Sequence, residues 1–370
     1  MKILLLGDYS ACQLTLGQAL TRMGHSVTLA SDGCKWMHTV RDYDLRRRLP
    51  GTAGGALLYL GLRWLRPLRG FDVVSLISPT FATLRPERLK SIFDRLRRDN
   101  GAVFLTAAGT DKAMMDYYLS DNCRLAYTEY RNSDGSCNER NTANLLADMQ
   151  WQKGTLGSYC DYVYDHIDGV CTTLYEYHLA MAARFPAEKV CYTGLPVELP
   201  PRPGNLYNAE HPVKFMLGRD RHRMAWKGTD RIEAALTAAL ADNPGCGELD
   251  IVENLPYAEY LERLWQSDVL IDQLYSYTPA LNALLAMARG KAVVSGGEED
   301  FYRFIGENDL RPVINVKPDD DELYATFVNL LRNRKDIEHC AAESYDFVKR
   351  HNSADAVARR TLDFWIERCR

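Results

Sequence analysis

A chain of 370 residues is longer than one hydrophobic core usually organises, so two domains of roughly 100–200 residues each are expected. Its apolar share of 46% is enough for two cores, and 45 basic against 49 acidic side chains leave a net charge of −4. That balance excludes a whole-chain electrostatic argument for nucleic acid, so any basic site has to be local.

In chain order, the apolar run Lys2–Leu6 ends at Gly7 and is followed by helical periodicity over 12–23, then Gly24 and His25, then a second apolar run at 26–30. This is a βαβ opening. Residues 72–77 read as a third strand, Leu89, Ile92, Phe93 and Leu96 recur at helical spacing, and 102–106 reads as a fourth strand. Continuous apolar strands between amphipathic helices predict a parallel sheet covered on both faces. A strand at Gly169–Thr172, a helix over 173–184 and a strand at 189–193 extend the series. The proline-rich stretch GLPVELPPRPGNLYNAEHP then interrupts it, because proline fixes φ and removes a backbone donor.

A second series follows, with strands at 213–217, 248–252, 268–271 and 291–295 and helices over 229–241, 256–266 and LNALLAMAR. The expected fold is therefore α/β, with two Rossmann-like doubly wound domains at 1–197 and 213–352. A linker at 198–212 joins them, and a cleft lies at the carboxyl ends of their strands. The C-terminal helix, 353–370, carries Val357, Leu362, Phe364, Trp365 and Ile366 and is expected to pack back on the first domain. Ten cysteines without a C-x-x-C pair fit reduced thiols better than a disulfide framework or a zinc site. The run Ile3 to Leu6 is too short for a signal sequence, and no stretch reaches the ~18 apolar residues of a membrane span. A cytoplasmic protein without a metal is expected.

Two turns carry candidate chemistry. The first, GDYSACQLTLG, lacks the glycines of G-x-G-x-x-G, which argues against NAD or FAD there. Asp8, Tyr9 and Ser10 in this turn are candidates to touch a substrate in the cleft, with Ser10 alternatively a helix N-cap. The second, MLGRDRHRMAWKGTDRI, places Arg219, Arg221, Arg223 and Lys227 ahead of Gly228 and a helix capped by Thr229. Paired guanidinium donors and a helix N-terminus suit a multiply charged anion such as a phosphate. The alternative is a solvated basic loop balanced by Asp220 and Asp230.

From these residues the chain resembles the family 4, retaining glycosyltransferases of the GT-B fold. The segments strand-GR, KGTD-helix, ENLPYAEYLERLWQSDVLIDQ and LLAMARGKAVVS carry the resemblance over about 213–300, and GDYSACQLTLGQALTRMGHSV carries a looser one over the first 200. The resemblance implies that Arg219 and Lys227 bind the donor diphosphate, with Arg223 an alternative for the arginine. It also implies that Glu253, Asn254 and Leu255 lie near the nucleotide base, and that Gly290 ends a helix whose start faces the donor. This sequence departs from the family at its E-x7-E glutamates, which fall on Tyr277 and Leu285. Within the segment Tyr277, Thr278, Pro279, Ala280, Leu281 and Asn282, the residues Thr278, Pro279 and Asn282 are candidate substitutes, and the Asn282 amide both donates to and accepts from hydroxyl groups. Asn282 is alternatively a local cap. After the fourth strand, where many relatives carry a histidine, the nearest polar residues are Thr110 and Asp111; Asp111 is a catalytic candidate or a helix-start acid.

The stretch 41–69 holds seven Arg and two Asp around Leu57, Leu58, Leu60, Leu62, Trp64 and Leu65. It reads either as a peripheral membrane contact or as an ordinary crossover helix. The resemblance implies metal-independent transfer, with retention and no bound cofactor, from a nucleotide-sugar donor to a glycan or lipid-linked acceptor, in cell-surface polysaccharide or glycolipid synthesis. A nucleotide-sugar epimerase and a non-catalytic nucleotide-sugar-binding protein are the alternatives.

Overall fold

The strand and helix series is seen in the computed structural model, which describes all residues except 35–36, 66–67, 205–206, 208–210 and 370, and Leu65 only in its backbone. The first-unit strands are β1 (Lys2–Leu6), β2 (Ser26–Ser31), β3 (Tyr43–Asp44), β4 (Val73–Leu76), β5 (Ala102–Ala107), β6 (Gly169–Thr172) and β7 (Val190–Tyr192). They form one parallel sheet in the order β3-β2-β1-β4-β5-β6-β7. The order reverses beside β1, because the connections to β2 and β3 run one way and β4 returns to the other side. Loops at such a reversal splay apart and leave room at the strand ends. β4 and β6 are buried along their whole length, as a sheet covered on both faces requires.

One face is covered by α2 (Gly51–Leu60), α3 (Pro86–Asp99) and α6 (Gly154–His166), the other by α1 (Cys12–Arg22) and the C-terminal helix Ala354–Arg368. Trp365 is fully buried there, with its ring 5.8 Å from Phe104, and Phe364 packs edge-on to the same ring. Helices α4 (Lys112–Tyr118), α5 (Thr142–Asp148) and α7 (Tyr175–Arg184) complete the connections of this half of the chain.

The second sheet comprises β8 (Val213–Gly218), β9 (Gly247–Val252), β10 (Val269–Ile271), β11 (Ala292–Ser295) and β12 (Val313–Asn315), parallel in the order β12-β11-β10-β8-β9. Here the reversal lies between β8 and β10. Between its strands run α8 (Met224–Lys227), α9 (Thr229–Asp242), α10 (Tyr257–Gln266), α11 (Leu281–Met287) and α12 (Glu299–Ile305), followed by α13 (Asp320–Arg332) and α14 (Lys335–His351); the C-terminal helix is α15. A cluster including Phe215, Ile232, Leu236, Ile271, Phe327 and Ile337 forms one part of its core, and Met216, Leu270, Val293, Phe301 and Phe347 are buried outside that cluster.

The chain divides into two compact units, Met1–Cys123 with Leu146–Pro196 and the segment from Ala354, and Arg124–Leu145 with Val197–Ser353. Residues 124–145, assigned above to the first domain, therefore belong with the second. Their side chains explain why. Tyr127 stacks on Tyr277 with ring centroids 5.0 Å apart, and its hydroxyl donates to Glu298 at 2.9 Å. Asn141 donates to the carbonyl of Ala225 at 2.7 Å. None of these contacts follows a sequence period.

The stretch 41–69 also differs from a simple crossover. It contains β3, then α2, which widens into a π-helical turn at Gly61–Leu65. Leu58 and Leu62 are buried in the core, while Leu57, Leu60 and Trp64 are exposed on another face; the side chain of Leu65 and residues 66–67 lie outside the described residues, as do 205–206 and 208–210 of the linker. Among the described residues no helix is long and apolar enough to cross a membrane.

Candidate functional site

The basic turn leaves β8 at the reversal point of the second sheet, and Gly228 shapes it. That residue has φ +70°, and a Cβ there would lie 2.7 Å from Leu274 Cβ and 2.9 Å from Tyr275 Cε2, so both conformation and space demand glycine. Gly228, not Thr229, occupies the N-cap of α9, and no side chain caps that helix. Its first N–H groups carry the partial positive charge of a helix start.

The turn's cations are held by carboxylates. Arg219 pairs with Glu233 and, at 2.9 Å, with Glu253, which also accepts from Arg221 at 3.0 Å. Hydrogen bonds from Arg221 and then Arg219 hold the Glu253 carboxyl below its ordinary range. Lys227 Nζ lies 3.2 Å from Asp272 Oδ1; the Asp272 side chain is fully buried and its Oδ2 has no hydrogen-bond partner. Arg223 is exposed, stacks over Trp226 at 4.5 Å and has no carboxylate partner among the described residues. The loop is thus balanced, but not by the acids next to it in sequence. Asp220 accepts from the backbone of His222, and Asp230 pairs with Arg140.

Across β10, Tyr277 is buried in its stack with Tyr127, and its hydroxyl accepts from the Tyr127 backbone N–H at 3.0 Å. Thr278 and Pro279 are buried, Ala280 is the N-cap of α11, and Leu281 begins that helix. Asn282 does not cap its own helix. Its Oδ1 accepts from Tyr260 Oη at 2.6 Å. Gly290 has φ +67° and follows the end of α11, the stop expected of it. After β9, Glu253 is tied to the arginines, Asn254 is exposed with φ +53°, and Leu255 is half-buried.

In the first unit, Asp8 accepts from the backbone N–H of Gln13 at 2.8 Å, and burial pushes its carboxyl up to about 6. It caps α1 in place of Ser10, which has φ +52° and lies outside the helix. Asp8 and Tyr9 line a cavity of about 730 Å³ at the β1 and β4 strand ends. Asp111 is the helix-start acid: its Oδ1 accepts from Met114 N at 3.0 Å as the N-cap of α4. Arg219, Arg223, Lys227, Glu253 and Asn282 share the second unit, and Asp8, Tyr9, Ser10 and Asp111 the first. Among the described residues no three His, Cys, Asp or Glu side chains converge as metal ligands.

Asp111 supports a direct test. Burial raises its carboxyl from 3.8 to about 6, so between these values the native state binds the extra proton and stability falls as pH rises. Asp111→Asn keeps an acceptor for Met114 N but removes the buried charge. The variant is expected to gain up to about 3 kcal/mol over wild type at pH 7.5 and nothing at pH 3.5, read from urea midpoints. An equal difference at both values would contradict this account.

Sequence reasoning missed Glu233, Tyr260, Asp272 and the Tyr127–Tyr277 stack. Only Asp272 left a local signal, an acid directly after the fully buried strand β10.

No protein-family model and no curated protein matches this chain. Solved structures do. Anabaena HepE in complex with UDP-glucose aligns with a TM-score of 0.56 at 12% identity, covering 99% of this chain and 100% of that one. S. aureus TarM, solved with fondaparinux, alpha-GlcNAc-glycerol and UDP, aligns at 0.53 and 9% identity over 84% of this chain; the match spans only 59% of TarM. A putative UDP-N-acetylglucosamine 2-epimerase from Listeria monocytogenes aligns at 0.53 and 12% identity, covering 98% and 94%. The chain has the GT-B fold. Its two parallel α/β sheets are the two layers of that fold.

Proposed function

We propose that this protein is a glycosyltransferase that moves a sugar, with retention, from a nucleotide-sugar to a glycan or lipid-linked acceptor. Its setting is the cytoplasmic side of a membrane, in cell-surface polysaccharide or glycolipid synthesis. The observation that carries the reading is the turn after β8, where Arg219 and Lys227 meet a glycine-shaped helix start at a strand-order reversal of a GT-B fold. Complexes of HepE and TarM with UDP or UDP-glucose support it.

Breaking the bond from sugar to diphosphate puts negative charge on the leaving group. Arg219, Lys227 and the first N–H groups of α9 stabilise that charge from fixed positions, with Arg223 free to join them, and this assistance needs no metal. The carboxylates Glu253, Glu233 and Asp272 hold the cations in place until a diphosphate competes for them. Asn282 supplies amide donors to sugar or ribose hydroxyls in place of the missing glutamates.

Titration calorimetry of the whole chain with UDP, GDP, ADP and CMP, followed by incubation with the sugar donor of whichever binds, tests the reading. Nucleotide binding together with acceptor-dependent release of the nucleoside diphosphate is expected. Conversion of the sugar to its epimer without an acceptor, whether it stays on the nucleotide or is released from it by water, would favour the epimerase. Binding with neither release nor epimerisation would favour a non-catalytic role, for which the commitment of Tyr277 to its stack with Tyr127 speaks. No nucleotide binding would end the proposal.

A further inference from the structure

We propose that the first unit carries a second anion site, formed by Arg47 and Arg88 beside the start of α2, and that it takes the phosphate group of a phosphorylated acceptor. Naming the ligand an acceptor rests on the glycosyltransferase reading; the anion site does not.

Both arginines line the cavity of about 730 Å³ where the loops after β1 and β4 separate. They converge on Gly55. A Cβ built there would lie 3.0 Å from Arg47 Nη2 and 3.2 Å from Arg88 Nη1, so the absent side chain leaves room for two guanidinium groups to sit as neighbours. Like charges so placed repel unless an anion lies between them. Several other arginines of this unit are met by acids: Arg22 by Asp355, Arg41 and Arg46 by Asp44, and Arg95 and Arg98 by Asp99. Among the described residues Arg47 and Arg88 have no carboxylate within 4.0 Å. Arg47 instead donates to the Gly51 carbonyl, and Arg88 lies over the Tyr59 ring at 5.6 Å.

The surroundings favour the same charge. Gly51 and Thr52, the first residues of α2, line the cavity, and no side chain caps that helix, so its leading N–H groups are free for an anion. Two acids share the cavity, Asp8 and Asp32, and both accept from backbone amides, of Gln13 and Cys34 respectively. Paired guanidinium donors and a helix start describe a phosphate site better than a carboxylate site, because phosphate offers three or more acceptor oxygens.

Pyrophosphate is the first probe, and the loop after β8 also competes for it. Calorimetry of the intact chain is expected to show two sites. Arg47→Ala with Arg88→Ala removes one, weakening it about 100-fold, and Lys227→Ala removes the other. Gly55→Ala supplies a second variant that keeps both charges. Its methyl group displaces the guanidinium ends, so the first-unit site weakens while the melting temperature holds, alanine being the better helix former.

If the arginine pair leaves pyrophosphate binding untouched while Lys227→Ala abolishes it, the inference is overturned and the donor reading stands. If only the arginine pair matters, the inference stands and the donor site fails. Vesicles of phosphatidylcholine with and without phosphatidate then separate the sources. Association confined to phosphatidate vesicles, and lost in the arginine variant, identifies a lipid phosphate. Absence of association with pyrophosphate binding intact rules out the lipid phosphate and favours a soluble phosphorylated saccharide.

Discussion

Replacing Lys227 by alanine is expected both to weaken nucleoside diphosphate binding and to lower the melting temperature, for different reasons that a second substitution separates. Lys227 is the cation 3.2 Å from Asp272, whose side chain is fully buried and whose Oδ2 already lacks a partner. Removing the lysine leaves an uncompensated buried carboxylate, which costs about 3–5 kcal/mol. Adding Asp272→Asn removes the stranded charge and is expected to restore most of the stability. It cannot restore the ammonium that meets the phosphate, so the double variant should still bind UDP or its counterpart about 10- to 100-fold more weakly. The two substitutions touch one ion pair, and their effects on stability are therefore not additive. Melting curves and calorimetry on the four proteins of this cycle make the comparison. Wild-type affinity in the double variant would show that Lys227 holds Asp272 and nothing else.

The second large effect is expected far from any chemistry. Trp365→Ala should destabilise the protein by about 3–5 kcal/mol, because the indole is fully buried between α15 and the first sheet, 5.8 Å from the Phe104 ring. The neighbourhood has little freedom to collapse into the space. Phe364 already fills the room above Gly169, where a Cβ would lie 2.7 Å from its Cζ. Trp365→Phe keeps a ring against Phe104 and is expected to cost less than half as much. Urea midpoints followed by circular dichroism decide the matter, and equal losses for the two variants would mean that ring packing is not what anchors α15.

The strands were legible because each is a short apolar run between turn residues. β1 and β6 have the limits their runs suggest, and β8 to β11 differ from expectation by about one residue at an end. A buried parallel strand needs apolar side chains on both faces, and that requirement is local. β3 carries two half-buried residues and no such run, so nothing in 41–46 announced it.

The cations of the turn after β8 were equally legible, but their partners were not. Glu233, Glu253 and Asp272 come from a helix, a strand end and another strand end, and strand order alone brings them to Arg219 and Lys227. The same holds for Arg47 and Arg88, which meet only because α2 and α3 pack on one face of the sheet. Tyr277 was weighed as the residue standing in place of a glutamate. Its partner Tyr127 lies 150 positions earlier, on a segment that no composition shift distinguishes.

The division of the chain sets a timetable for its maturation. A ribosome delivers residues in order, and once Ser353 has been added the second unit has all of its residues. The first unit, begun earliest, still lacks α15. Until that helix is made, Ile3, Leu5, Phe104 and Cys171 have no Phe364 or Trp365 to cover them. The unit started first is therefore finished last, and a nascent chain halted just short of Ala354 would expose an apolar sheet face that the complete protein never shows.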